Sequence, residues 1–379
     1  MDRVLGLVWV AALASVIGCS GDHRGEGPQD GSVRGDVGTD AATPTGDTGT
    51  PMDDTGTPMD DAGGSPCGDC PAGSTCGTAN GIAVCRAASG IPRFTGVTVI
   101  VMENTSLSTL MGATNTPYLS MLAASAASAS DYHGVTHPSM PNYLALVSGM
   151  DASHIGCDCD PTGSACSSLT CNRLLHSCGC PQSAMHLGDQ LEAAGLSWRD
   201  YGEDMGAACN TATSGSYAAR HVPFLYFPNV QTDAARCAAH VVDYASFDPE
   251  GDPQHFALVA PNLVHDMHDP FPAGAANLAN GDTWLSAHVP PILASSTYRA
   301  GGLLVIVWDE DDLSGGITGS TDEPIPMFVL SPFAKSGGFV SATRADHYAL
   351  LATIEDGLGL PRLGQAATAT PLVDFFPAD

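Results

Sequence analysis

The chain has 379 residues, with 13 Lys+Arg against 41 Asp+Glu and a formal charge of −28 at pH 7. That imbalance excludes a nucleic-acid binder, because phosphate backbones are held by clustered cations; a 44% hydrophobic share excludes a wholly disordered protein. Beyond the N-terminus no stretch supplies ~20 uninterrupted apolar residues, so no other segment is expected to span a bilayer.

Met1-Asp2-Arg3 precedes an apolar run from Val4 to Ile17, short for a spanning helix and suited to a signal-peptide core. The run stops at Val16-Ile17-Gly18-Cys19, followed by Ser20-Gly21-Asp22, and this resembles a bacterial lipobox with Cys19 as the lipidated residue. Residues 1–18 therefore read as a lipoprotein signal peptide, implying export and anchoring to a membrane of the cell envelope by several acyl chains. An ordinary cleaved signal followed by an incidental cysteine is the alternative.

Residues 19–66 read as an acidic tether. Asp47-Thr-Gly-Thr-Pro-Met-Asp53 recurs as Asp54-Thr-Gly-Thr-Pro-Met-Asp60, and like-charge repulsion with Thr, Gly and Pro favours an extended, solvated chain. The Asp spacing is not that of a calcium loop.

Of 13 cysteines, Cys19 set aside leaves an even number in three even groups. Cys67, Cys70, Cys76 and Cys85 form a small Cys-rich patch over 67–90. Cys157, Cys159, Cys166, Cys171, Cys178 and Cys180 crowd a short stretch of the main domain, and Cys209 and Cys237 stand apart. An exported chain makes disulfides the favoured use, with connectivity open; zinc at Cys67-x-x-Cys70 is the rival.

Residues 91–379 read as one catalytic domain. Val97–Met102, Phe256–Ala260, Leu303–Trp308 and Met327–Leu330 are short apolar runs of buried-strand type. Helices are expected over 117–129, 141–147, 186–194 and 347–358, the last capped by Asp346. Such alternation predicts an α/β fold, a mainly parallel β-sheet sandwiched by helices, with a disulfide-rich insertion at 157–180.

In that architecture functional groups collect beyond the carboxyl ends of the strands. Three strands here run into clusters of ligand-type residues: Glu103-Asn104; Asn262, then His265-Asp266-Met-His268-Asp269; and Asp309-Glu310-Asp311-Asp312. Oxygen donors with histidines nearby suit a hard or borderline divalent metal ion. Thr136-His137-Pro138-Ser139-Met140-Pro141-Asn142-Tyr143 puts Ser139 at a helix N-terminus, where free N–H groups favour a phosphate or sulfate. Ser139 is either a nucleophile or a helix cap, and Thr136 lies close by.

These motifs, with Tyr201-Gly-Glu203-Asp204-Met205 and Tyr217-Ala-Ala-Arg220-His221-Val-Pro223, resemble the phosphoesterase family over roughly residues 94–360. That family takes in acid phosphatases, a phosphatidylinositol-3-phosphatase group and phospholipase C-like enzymes. The resemblance implies an alkaline-phosphatase-like fold and metal-dependent hydrolysis of phosphate esters through a phosphoserine. It further implies Glu103, Asn104, Asp309 and Glu310 as metal ligands, and Ser139 as nucleophile and additional ligand. His265, His268 and His347 would surround the phosphoryl group, with Arg220 and His221 as a substrate-side pair. Three functions follow for testing: an acid phosphatase-like monoesterase acting on a small molecule or phospholipid headgroup, a phospholipase C-like phosphodiesterase, and a non-catalytic surface-binding lipoprotein.

Overall fold

The computed structural model describes residues 65–152, 155, 158, 161–162, 182–268, 277–312 and 323–378. Cys19, the signal peptide, most of the tether and nearly all of the 157–180 stretch lie outside the described residues. Residues 62–379 form one compact unit. No helix among the described residues is long and apolar enough to cross a membrane.

The first elements are a hairpin, β1 (Ser74–Ala79) and β2 (Ile82–Ala87), turning through Asn80 and Gly81, both at positive φ. Asn-Gly adopts that conformation at low cost and matches the strand twist. Disulfides Cys67–Cys76 and Cys70–Cys85 staple the hairpin, and Cys209–Cys237 joins the third group internally. Cys67, Cys70 and Cys85 lie close enough together to suggest a metal cluster. Their sulfurs are spent in disulfides, however, so no thiolate remains there to bind one. Asn80 Nδ2 donates to the Pro332 and Ala334 carbonyls at 2.9 and 2.8 Å, docking the hairpin on the body.

The remaining strands are β3 (Val97–Met102), β4 (Ala127–Ala129), β5 (Tyr132–His133), β6 (Trp198–Gly202), β7 (Val241–Asp243), β8 (Phe256–Ala260), β9 (Leu303–Trp308), β10 (Met327–Leu330), β11 (Val340–Ser341) and β12 (Ala345–Asp346). Eight of them make one sheet in the order β11-β4-β10-β9-β3-β8-β6-β7. All neighbours are parallel except β10, which is antiparallel to both β9 and β4. Every residue of β8 and β9 is buried, as expected for strands covered on both faces.

Register decides what meets at the carboxyl edge. Met102 is the Cα partner of Trp308, so Glu103 and Asp309 emerge side by side. Gly202 pairs with Ala260, which brings Glu203 to the start of the 261–268 loop.

The helix at Pro117 stops at Ser125, because 127–129 is drawn into the sheet as β4 against β10 and β11. Sheet pairing overrides the helix preference of alanine there. The helix after His137-Pro138 spans Ser139–Ser148, starting two residues earlier than expected, with Pro138 as N-cap and Gly149 at φ 64° ending it. Asp346 caps the His347–Leu358 helix, accepting from Tyr348 and Ala349 N–H as expected. A helix over Asn277–Ala294 contains Pro290 and Pro291 and was not anticipated. Asp282, on that helix, accepts the Tyr118 and Leu119 N–H groups at the start of the Pro117–Ser125 helix.

Candidate active site

Ser139 opens a helix buried along its whole length, and its hydroxyl points at the ends of β3 and β9. Its Oγ donates to Glu103 Oε2 at 2.8 Å, with Asn104 Oδ1 and Glu310 Oε1 each 3.3 Å away. Asn104 sits at φ 31°, in left-handed backbone that asparagine tolerates. From there its N–H donates to Asp309 Oδ1 at 3.0 Å and its Nδ2 to Glu310 Oε1 at 2.8 Å. The five residues with ligand chemistry are thus linked through one set of short contacts.

Burial makes this cluster electrostatically costly. Glu103, Asp309 and Glu310 expose 0, 1 and 2% of their surface. Loss of hydration, with the Glu310 charge adding to it, raises the Glu103 carboxyl to about 7 despite His268, Tyr143 and Arg220 nearby. Burial, then the charges of Glu103 and Glu310, push Asp309 well above the carboxylate range. Glu310 is raised by burial, with His137 opposing. Among the described residues histidines face two of these three: His137 Nδ1 lies 2.6 Å from Glu310 Oε2, and His221 Nε2 3.2 Å from Glu103 Oε1. Burial works against charge on His137, but Glu310 and Asp311 outweigh it and raise its pKa.

Asp309 Oδ2 is buried with no hydrogen bond. An orphaned carboxylate oxygen within a cage of buried oxygens is what an oxygen-ligated divalent cation would relieve. Glu103, Asn104, Asp309, Glu310 and the Ser139 hydroxyl therefore fit such an ion.

The loop before the helix is held by Asn142. Its Oδ1 accepts the Val135 and Thr136 N–H groups at 2.8 and 3.2 Å, and its Nδ2 donates to the Thr136 and Pro138 carbonyls at 2.7 and 3.1 Å. At the helix start Met140 N–H donates to Asp158 Oδ1 at 2.9 Å, and Arg220 Nε stands 3.6 Å from Asp158 Oδ2. A carboxylate of the chain thus occupies the helix N-terminus beside a guanidinium.

The expected histidines part company. His268 acts electrostatically on Glu103, His221 and Asp158, which keeps it with the cluster. His265 Nδ1 lies 2.9 Å from Glu203 Oε2, in a polar group where Trp284 Nε1 and Asn262 N–H also donate to Glu203. His347 differs from expectation: it is buried, with Nε2 2.6 Å from the Asp309 carbonyl and Nδ1 3.0 Å from Tyr132 OH. Both ring nitrogens are engaged and burial lowers its pKa, so it braces the Asp309 backbone rather than facing a phosphoryl group. His221 likewise departs from the substrate-side role. It is 1% exposed, stacked on Tyr143 with ring centroids 5.5 Å apart, and burial holds it neutral. Arg220 of that pair is partly exposed and stands beside Asp158. His137, Asn142 and Tyr143 stood in the nucleophile motif without a role, and Glu203 in the Tyr-Gly-Glu-Asp-Met segment. For Asp158 no signal separated it from the cysteines around it.

The phosphoesterase family model matches residues 105–361. The chain is 32% identical over 293 residues to a phosphatidylinositol-3-phosphatase of Mycobacterium tuberculosis, covering 76% of this chain and 84% of that protein. It is 25% identical to a probable acid phosphatase of Kluyveromyces lactis, covering 70% of this chain and 59% of the relative. In shape it is similar to a protein in the alkaline phosphatase superfamily from Vibrio parahaemolyticus, with a TM-score of 0.48 and 12% identity over 74% of this chain and 71% of that one. The chain belongs to the phosphoesterase family.

Proposed function

We propose that this phosphoesterase-family hydrolase cleaves phosphate monoesters with Ser139 as nucleophile. The observation that carries the reading is the Ser139 hydroxyl at a helix N-terminus within 3.3 Å of Glu103, Asn104 and Glu310. Glu103, Asn104, Asp309, Glu310 and Ser139 would hold a divalent cation, which when bound would supply charge for the phosphoryl oxygens and lower the hydroxyl's pKa. Oγ bonds to phosphorus as the ester P–O bond breaks, and the Ser139 proton leaves to solvent water. We assign the leaving oxygen's proton to His268, because its loop is tied to the nucleophile's neighbour: Glu103 N–H donates to the Asp266 carbonyl at 2.7 Å and His268 N–H to Asp266 Oδ1 at 3.0 Å. Arg220 contacts an equatorial phosphoryl oxygen. Water then cleaves the phosphoserine, returning the hydroxyl and releasing phosphate.

Preference for monoesters is supported by the names of the relatives, a phosphatidylinositol-3-phosphatase and acid phosphatases. The lipobox at Cys19 supports an exported, lipid-anchored enzyme, which palmitate labelling of the parent and of Cys19→Ser tests. The central experiment incubates the purified chain and Ser139→Ala with divalent ions. Their substrates are a chromogenic phosphate monoester, phosphatidylinositol 3-phosphate and phosphatidylcholine. Monoester turnover lost by at least ~10³-fold in Ser139→Ala is the expected result. Cleavage of phosphatidylcholine alone would establish the phosphodiesterase instead.

A further inference from the structure

We infer that Tyr143, buttressed by His221, is a positioning residue that fixes the carboxylate of Glu103 for cation binding; this rests on the metal reading above. Glu103 divides its two oxygens between two tasks. Oε1 accepts the Tyr143 hydroxyl at 2.6 Å and has His221 Nε2 at 3.2 Å, whereas Oε2 accepts from the nucleophile Ser139 at 2.8 Å. A carboxylate bonded at one oxygen no longer rotates freely, so Oε2 stays turned toward Ser139 and Asn104.

The sequence spacing makes this coupling rigid. Ser139 and Tyr143 are four apart on one buried helix, hence on one face. The same face therefore carries the nucleophile and the group that orients the carboxylate beside it. His221 lies parallel to the Tyr143 ring, with 4° between the planes and the centroids 5.5 Å apart, and faces the same carboxylate oxygen. Tyr143 is 1% exposed and His221 1%, so neither contact is diluted by solvent. Both residues act through Glu103.

Partners of this kind around metal-binding side chains typically carry 10–100-fold in metal affinity. The test is the dissociation constant of the full chain for Mn²⁺, from the free-ion EPR signal, and for Zn²⁺, by equilibrium dialysis. Tyr143→Phe keeps the ring and removes only the donor. It is expected to weaken binding of the better ion about 10–100-fold while metal-free near-UV circular dichroism matches the parent. Monoester turnover then recovers toward the parent value as metal is raised to saturation. A purely structural hydroxyl would lower thermal stability and leave the metal constant unmoved, and equal constants for variant and parent overturn the inference. His221→Phe, which keeps the stacked ring but removes the nitrogen facing Glu103, is expected to weaken binding several-fold. It decides the matter if Tyr143→Phe does not fold, unchanged affinity again overturning it. A parent chain that binds neither ion refutes the metal reading itself and the assignment of Tyr143 with it.

Discussion

Glu355 provides a quantitative check on how burial is distributed behind the site. It lies on the His347–Leu358 helix, is fully buried, and accepts the Leu363 N–H at 2.8 Å through Oε1 while Oε2 has no donor. Burial raises its pKa from 4.5 to about 8, and Leu363, Gln190 and Arg362 offset only part of that. The folded state then holds a proton that the unfolded state releases between pH 4.5 and 8, so stability must fall as pH rises through that window and level off above it. At 1.36 kcal/mol per unit, a rise of roughly 3.5 units corresponds to about 5 kcal/mol. Glu355→Gln has the shape of the protonated acid and cannot ionise. It should match the parent near pH 4 and exceed it by about 5 kcal/mol above pH 8, or on the order of 10 °C in Tm. Urea unfolding of both proteins at pH 4, 6, 8 and 9 supplies the comparison. Parallel stability curves would refute the reasoning.

Other expectations follow from the same geometry. Asp309→Asn removes one of three mutually repelling buried carboxylates, so metal-free protein should gain ~1–3 kcal/mol in urea titrations while monoesterase activity disappears. A Cβ on Gly134 would meet the Asp309 carbonyl at 2.8 Å and Glu310 Cα at 3.3 Å. Gly134→Ala should therefore lower kcat/KM on the order of 10²-fold by displacing the Asp309–Glu310 backbone, measured with the chromogenic monoester. His186 is buried and lowered from 6.5 to about 4 by desolvation. The unfolded chain binds that proton first, so stability declines as pH drops from 6.5 through 4; His186→Phe should flatten this limb by roughly 3 kcal/mol in acid unfolding curves.

Much of this site is legible in the sequence because two rules coincide. Buried parallel strands announce themselves as β-branched and leucine-rich runs, and their carboxyl ends are where ligands gather. Glu103, Asn104, Asp309 and Glu310 follow β3 and β9 directly, so finding the strands nearly located the cage. The histidines resisted, since the residue type is the same whether its nitrogens face a substrate or, as in His347, a carbonyl and a phenol. Glu203 collects donors from residues 62 and 81 positions away, a convergence that local pattern cannot express. The Asn277–Ala294 helix hid behind its two prolines, and the reversed direction of β10 depends on partners that no single strand encodes.

That reversal decides where the hairpin sits. β3 and β9 run toward the catalytic rim, so β10 travels back and delivers Pro332 and Ala334 to the far rim of the sheet, where Asn80 of the hairpin grips them. The disulfide-stapled hairpin consequently docks on the rim of the sheet remote from Ser139, and leaves the opposite rim, where β3 and β9 end, uncovered by it.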